Sequence, residues 1–517
     1  MNAIDKMIGY FSPKKALERV AARVRLDAAY MYSNSGASRQ KNAFKGFKVS
    51  NSGPKTDIEN NIEVLRARSR ELFMGNPLAT GAIKKIVTNV VGAGLIPKAS
   101  IDAEYLGLSQ TEAEKIEKEI EEEFRLWAST PMCDASRSDN FNDLQQLALI
   151  STLMNGDCFA AFQYNKRPNE EYGLKISLIE GDRIINPPET VSKWNFMTNT
   201  IEKNGVEIVN GIEFKNGELE AYHIATSHPG DTTGTLKIER VEVYGKKSGE
   251  RMILHLYQRE RIGQKRGVPI LAPVIEALLQ LGRYTHAELT SAVVGSLFTA
   301  VVESESEDTE GMFGGEAFSE EEQIDSDNEN SYELGHGTVL ELAPGQKMKE
   351  INPGRANTGF DLFVKAVVKQ IGSALEIPYE VLMSSFEHSY SASRGALLEA
   401  WKLFKTKRIW LTRDFCQPIY EMFLTEAVAN GRINAPGFFL DKRIKAAYCK
   451  AEWYGPAQGQ LDPLKEVMAS AKKVEFGFST YSRETAELTG MNWDHNISRR
   501  NIENKKLKTG GNISDKK

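Results

Sequence analysis

A chain of 517 residues with 41% apolar and 26% charged residues can bury a substantial core, and its length points to two to four domains. A net charge of −5 excludes a global basic field that would advertise nucleic-acid binding. The four cysteines, Cys133, Cys158, Cys416 and Cys449, form no C-x-x-C pair and have no histidine at ligand spacing, so they read as buried, reduced thiols in a reducing compartment.

The chain opens on Met1-Asn-Ala-Ile-Asp-Lys-Met-Ile, which lacks the sustained apolar core of a signal peptide. Residues 33–54 are rich in Ser, Asn and Gly with scattered Lys and Arg, and residues 1–55 are read as a flexible arm. Ile58, Ile62, Leu65, Ser69 and Leu72 recur at helical spacing. Asn76-Pro77 predicts the next helix, with Asn as cap and Pro at the first helical position, ending near Gly92-Ala-Gly94. Thr111-Glu-Ala-Glu114 has the form of a capping box and predicts a helix whose inner face is Ile116, Ile120, Phe124 and Trp127. Phe141 to Leu153 is a further helix. From Gly156 the period shifts toward two, so Cys158–Tyr164, Leu174–Ile179, Ile212–Phe214, Glu220–Ile224 and Ile253–Tyr257 read as strands of a mainly antiparallel sheet. Residues 56–262 are thus read as one α+β domain.

Gly267-Val-Pro269 opens a long predicted helix over residues 267–302. Glu276, Gln280, Arg283, His286 and Glu288 interrupt it, whereas a membrane span needs about 20 nearly uncharged residues, so no membrane span is read here. Residues 303–330 carry twelve acids and no Lys or Arg and are read as solvated and mobile; Gly337–Gly345 reads as a strand and a turn. The stretch from Phe360 to Phe415 is the most informative: helix, break, helix. Phe360, Phe363, Val364, Val367, Val368, Ile371 and Leu375 form one stripe on the first helix. The break holds Pro378, Tyr379, Val381, Leu382, Met383, Phe386 and Tyr390, more apolar groups than a monomer has reason to expose. In the second helix Leu397, Trp401, Phe404, Leu411 and Phe415 make the buried stripe. Arg394, Lys402, Lys405, Lys407, Arg408 and Arg413 make it basic, and Pro418 predicts a kink about one turn earlier. Residues 438–495 read as mostly helical, and 499–517, with seven Lys/Arg and two acids, as a disordered tail.

Motifs that carry chemistry are missing. There is no P-loop, no G-x-S-x-G and no H-E-x-x-H, and Gly92-Ala-Gly94 is a helix end, so no cofactor, no metal and no catalytic residue is assigned. His223 and His228 read as a sheet-edge pair before a metal site. An alternative hydrolase reading pairs His388 with a nearby serine, but nothing supplies an oxyanion hole or an orienting acid. A second alternative makes the basic stretch 394–413 a nucleic-acid-binding module.

Several segments together resemble the portal proteins of tailed bacteriophages, in the lambda-type portal family. They are Ala67–Ala82, Asn89–Leu95, Trp127–Ala135, Glu180-Gly-Asp-Arg183, Tyr222-His-Ile, Gln264–Pro273, Leu340–Gly345, Ile377-Pro-Tyr-Glu380, Tyr390-Ser-Ala-Ser-Arg394, Phe415–Tyr420 and Asp462–Glu466. Each is weak alone; their order over roughly residues 60–490 makes the match specific. The resemblance implies an α+β portal fold. Its parts would be an α/β wing (56–262), stem helices at 267–302 and 358–376, a small α/β clip with the acidic loop (303–352), a tunnel loop (377–393), a long kinked helix (394–430), and wing edge with helical crown (431–498). It implies no enzyme but a homo-oligomeric ring, typically of twelve copies, at one capsid vertex of the virion, assembled in the host cytoplasm. Double-stranded DNA would pass through its channel. The expected partners are the large subunit of terminase, the major capsid and scaffold proteins and a head–tail adaptor, with no membrane. The residues expected in the tunnel loop are Glu380, Val381, Met383, Ser384, Phe386, Glu387, His388, Tyr390 and Arg394. Lys402, Lys405, Lys407 and Arg408 would face a neighbouring subunit or DNA, and Glu320, Glu321, Glu322, Asp325 and Asp327 would form a clip docking surface. A conduit must not grip, because each neutralised phosphate adds affinity, and mild net acidity suits passage.

Overall fold

The computed structural model describes residues 51–187, 200–203, 205–231, 236–297, 301–304, 346–349, 359–386, 389–459 and 462–514, with 10, 12–15, 18–19, 22, 42–47 and 194–195. The chain divides into two units, Met1–Gly53 and Pro54–Lys517. In the first, the described residues include a 3-10 turn, Asn42–Phe44. All that follows concerns the second.

Helix α1 spans Ile62–Gly75 and α2 spans Pro77–Val90. Asn76 caps α2 as its spacing predicts: its Oδ1 accepts the backbone N–H of Leu78 (3.0 Å) and Ala79 (3.1 Å). A short strand β1 (Ile96–Ala99) leads to α3 (Gln110–Ala128). The capping box lies two residues earlier than Thr111: Ser109 takes the role, receiving the Glu112 N–H while Glu112 accepts the Ser109 N–H at 3.0 Å. Ser109-Gln-Thr-Glu112 fits the same pattern, and Ser109, not Thr111, has the extended backbone a cap requires. Helix α4 (Phe141–Asn155) precedes strands β2 (Asp157–Tyr164) and β3 (Leu174–Glu180).

Strands β4 (Trp194–Asn195), β5 (Thr200–Lys203), β6 (Val206–Val209), β7 (Ile212–Lys215), β8 (Glu218–Ala225) and β9 (Ile238–Glu242) form an antiparallel meander in sequence order. Strand β10 (Ile253–Tyr257) instead pairs with β2, giving a second sheet ordered β10-β2-β3. The long helix starts later than Gly267: a 3-10 turn Ala272–Val274 precedes α5, Ile275–Leu297. Gly267 is held outside the helix because its backbone crosses that of Gly156, where a Cβ on either residue would come within 2.5 Å of the other's carbonyl oxygen. Strands β11 (Val301–Ser304) and β12 (Gln346–Lys349) pair antiparallel.

Helix α6 (Phe360–Ala374) packs on α5, with Tyr284 against Phe363 at 5.0 Å between ring centroids. A five-residue helix α7 (Tyr379–Met383) follows, then α8 (Tyr390–Leu411). Before Pro418 the helical bonding loosens to a π-turn over Thr412–Cys416, and α9 runs Gln417–Ala429. Proline cannot donate the N–H that would close the preceding turn, which accounts for the irregularity where it was expected. Helix α10 (Lys442–Tyr448), strand β13 (Ala451–Tyr454) and helices α11 (Pro463–Glu475), α12 (Tyr481–Thr489) and α13 (Trp493–Ser514) complete the chain. Residues 499–514 are helical rather than disordered: Lys, Arg and Glu are good helix formers, and their charge alone says little about backbone state.

One core joins distant parts of the sequence. Phe124, Trp127 and Phe141 meet Phe415, Tyr420 and Phe423 from the π-turn and α9, with Phe124–Phe423 ring centroids 5.2 Å apart. Strand β13 returns to pair antiparallel with β1, from Ile96 opposite Tyr454 to Ala99 opposite Ala451. The Glu426 carboxylate accepts the N–H groups of Gly173 (2.6 Å) and Leu174 (2.9 Å), fixing α9 to the start of β3. All four cysteines are free and buried; burial pushes the thiols of Cys133, Cys158 and Cys449 up to about 12. Among the described residues, no helix is long and apolar enough to cross a membrane.

Candidate functional site

The break between α6 and α8 is built in two halves. Its first half is folded against the core. Ile377, Val381 and Leu382 are buried, and Gly372 lets α6 approach closely: a Cβ there would stand 2.5 Å from the Ile377 carbonyl oxygen. Glu376 and Ser384, both left-handed at φ +58° and +55°, bracket α7. The apolar residues described in the second half are turned toward solvent. Met383 is 44%, Phe386 49% and Tyr390 51% exposed, while Glu387 and His388 lie outside the described residues.

Lys85, on α2, reaches the C-terminal end of α7. Its Nζ donates to the carbonyls of Val381 (2.8 Å) and Leu382 (2.7 Å) and to Ser384 Oγ (2.7 Å). Burial lowers its pKa from the ordinary lysine value.

Helix α8 carries its basic residues on different faces. Arg408 is held within the chain: Nε donates to the Val90 carbonyl (3.0 Å), Nη2 to those of Asn89 (2.8 Å) and Pro456 (2.9 Å), and the guanidinium lies 5.2 Å from the Trp401 ring centroid. It thus satisfies carbonyls at the end of α2 that the helix cannot pair itself. Lys407 donates to Gln258 Oε1, in a cleft of about 1230 Å³ between β10, the end of α6 and α8. Burial lowers its pKa, with Glu376 and Glu260 opposing. Lys402 pairs with Glu399 at 2.7 Å on the surface, and Lys405 approaches Glu487 of α12 at 3.5 Å. Arg394 is exposed and adds to the charge that keeps Asp462 below the usual carboxylate range, mainly through its bond from Lys465. Glu320, Glu321, Glu322, Asp325 and Asp327 lie outside the described residues.

The histidine pair separates. His223 is buried on β8, its Nε2 2.9 Å from Glu213, which also receives Arg240 through two nitrogens. His228 groups with Glu180 and Asp182, the one set among the described residues with donors near enough for a metal. The N–H of Gly230 donates to His228 Nδ1 at 3.0 Å, and Arg70 already pairs with Asp182 at 2.9 Å; both suit a hydrogen-bonded cluster better than a cation.

Sequence reasoning missed a second charged assembly. Asp157 is fully buried at the start of β2, between Arg66 of α1 (2.7 Å) and Arg266 (2.7 Å). Arg266 also donates to the carbonyls of Gly181 (2.6 Å), Ile184 (3.2 Å) and Asn210 (2.6 Å), and Arg66 to that of Asn155 (2.9 Å). Burial alone would raise the Asp157 pKa, but the two guanidiniums outweigh it and hold the carboxyl far below the usual range. His255, 3.5 Å from Asp157 and stacked between Phe159 and Tyr257, is lowered by burial to about 4. The available signal was an aspartate opening an apolar strand, Gly156-Asp157-Cys158-Phe159, and it names no partner.

Comparison with known proteins bears on what these parts serve. The family model described as "Phage portal protein, lambda family" matches residues 40–408. The chain is 23% identical over 438 residues to Portal protein B of Escherichia phage lambda, covering 81% of this chain and 80% of that protein. It is 22% identical over 439 residues to the portal protein of Escherichia phage N15, with the same coverage. Among solved structures it is similar to the neck of a native GTA particle computed with C12 symmetry, at a TM-score of 0.42 and 12% identity over 82% of this chain and 92% of that one.

Proposed function

The chain belongs to the lambda family of phage portal proteins, and from that premise we propose that its copies close head to tail into a ring, twelve in number, at one vertex of the capsid. The observation that carries this reading is the match over residues 40–408, which takes in α5, α6, the break and the basic part of α8. Double-stranded DNA passes through the ring during packaging and ejection. Helices α5 and α6 are the stem, and the chain between them is the clip that meets the large subunit of terminase and later a head–tail adaptor. Major capsid and scaffold proteins hold the wing. The family is a structural one, and the energy-consuming step belongs to the motor that docks.

Exposed apolar groups on the stem pair support the ring: Leu289 is 66%, Leu362 73% and Phe363 51% exposed, and a neighbouring copy would cover them. The break is the tunnel loop, with Phe386 and Tyr390 at its outward half. With Arg408 and Lys407 engaged inside the chain, Arg394, Lys402 and Lys405 remain for contact with the next subunit. This favours a neighbouring chain over DNA as the partner of the basic helix. Phe386→Ala with Tyr390→Ala, which spares the buried Val381 and Leu382, tests the loop. Rings of unchanged mass that package or retain less DNA are expected; loss of assembly would instead make these residues interface.

A further inference from the structure

Helix α7 is too short to be stable by its own hydrogen bonds, and its C-cap Ser384, like Glu376 three residues before its start, adopts a backbone that side-chain-bearing residues rarely take. Something outside it must hold it. The Ser384 N–H turns back to the Glu380 and Val381 carbonyls, and the Ser385 N–H bonds to the Glu380 carbonyl. The carbonyls of Val381 and Leu382 and the Ser384 hydroxyl face Lys85.

The base of that lysine is rigid. Helix α2 is capped by Asn76, buries Ala82, Ile83, Ile86 and Val87 beside Lys85, and is closed at its other end by Arg408. Among the described residues no carboxylate pairs with Lys85, and its acceptors there are two carbonyls and a hydroxyl. A cation placed on the last carbonyls of a helix satisfies groups the helix cannot pair and opposes its dipole.

We propose that Lys85 is the positioning residue of the loop: its ammonium fixes the C-terminal end of α7 and so sets the direction in which Ser384 to Phe386 leave the fold. This rests on the reading of that loop as the one lining the channel. Lys85 acts through α7 and need not touch DNA. Because its partners are neutral and directly bonded, salt has little purchase on the contact, so the loop keeps its place while the ionic atmosphere around passing DNA changes.

The test uses the full chain, with Lys85→Met removing the donors, Lys85→Arg retaining charge and donors, and Ser384→Ala removing one acceptor. Hydrogen–deuterium exchange is read for peptides covering 379–386, α2 and α4. Loss of several bonds to a charged donor should speed exchange in 379–386 by about tenfold or more in Lys85→Met, less in Ser384→Ala, with recovery in Lys85→Arg and α4 unchanged. Unchanged exchange at 379–386, or equal acceleration in α4, overturns the proposal. Should Lys85→Met fail to fold, Ser384→Ala carries the same comparison. DNA retention in assembled particles separates the two readings: a loosened loop with full retention keeps the positioning role and counts against the channel assignment.

Discussion

Two regions of this molecule tie distant chain segments together with a charged side chain, and they do it in opposite ways. Around Asp157 a carboxylate is enclosed by two guanidiniums, and their remaining donors reach four backbone carbonyls on three segments. At α7 a single half-buried ammonium serves neutral oxygens of one short helix. In the first arrangement Asp157 cannot leave without stranding two buried guanidiniums, so the region depends on that carboxylate as a whole. In the second, release costs a few hydrogen bonds and frees only the loop. On the reading proposed above, the first would be the frame of the conduit and the second would set the position of its lining.

The comparison can be broken most sharply at Asp157. Asp157→Asn leaves Arg66 and Arg266 facing each other without a counter-charge and should cost about 3–5 kcal/mol, read from the denaturation midpoint of the whole unit. A loss below about 1 kcal/mol would mean that the cluster is not the frame.

Acid gives the next largest effect. His255 is ordinarily half protonated near 6.5 but is held to about 4 here, so between these values the unfolded chain binds a proton that the folded chain refuses. Its contribution is therefore complete above pH 6.5 and is lost as pH falls toward 4, by up to about 3 kcal/mol. His255→Gln should flatten that slope in pH-dependent melts. Asp157, held low, adds little to the loss in this window, because it stays ionised in the fold and its unfolded value near 3.9 places most of its own loss below pH 4.

Arg408→Ala should cost about 2 kcal/mol, since it strands the carbonyls of Asn89 and Val90 at the end of α2. It should also speed amide exchange at 379–386, because α2 carries Lys85; an effect confined to α8 would separate the two contacts. The smallest effect is at Lys402, whose pair with Glu399 is exposed on both sides. Lys402→Ala should change the stability of the isolated chain by less than about 0.5 kcal/mol. Any larger change should appear only in the mass distribution of assembled rings.

What was legible in the sequence follows from how local each signal is. Asn76-Pro77, the helical stripe of α6 and the alternation of β2 and β3 depend on neighbours a few residues away, and these elements stand where periodicity put them. The start of α5 was misplaced by eight residues because Gly267 looks like a helix opening until the Gly156 backbone is laid across it. The pairing of β1 with β13, and the wall that Phe415, Tyr420 and Phe423 give to a core begun at Leu72, join residues hundreds of positions apart and leave no local trace. The same holds for the site. Its apolar break was visible as composition, but half of it, Val381 and Leu382, is inward. The basic look of α8 concealed that Arg408 and Lys407 are spent inside the chain. Nothing near Lys85 in sequence marks it, since its partners lie about 300 residues on.

The central claim is that copies of this chain form a closed ring whose opening is lined by the outward half of the break. Imaging the purified full chain at a resolution that traces the backbone tests it most directly. A closed ring of twelve with Ser384 to Tyr390 around the central opening is the result predicted here. A monomer or open filament under all assembly conditions, or a ring carrying those residues on its outer surface, would contradict it.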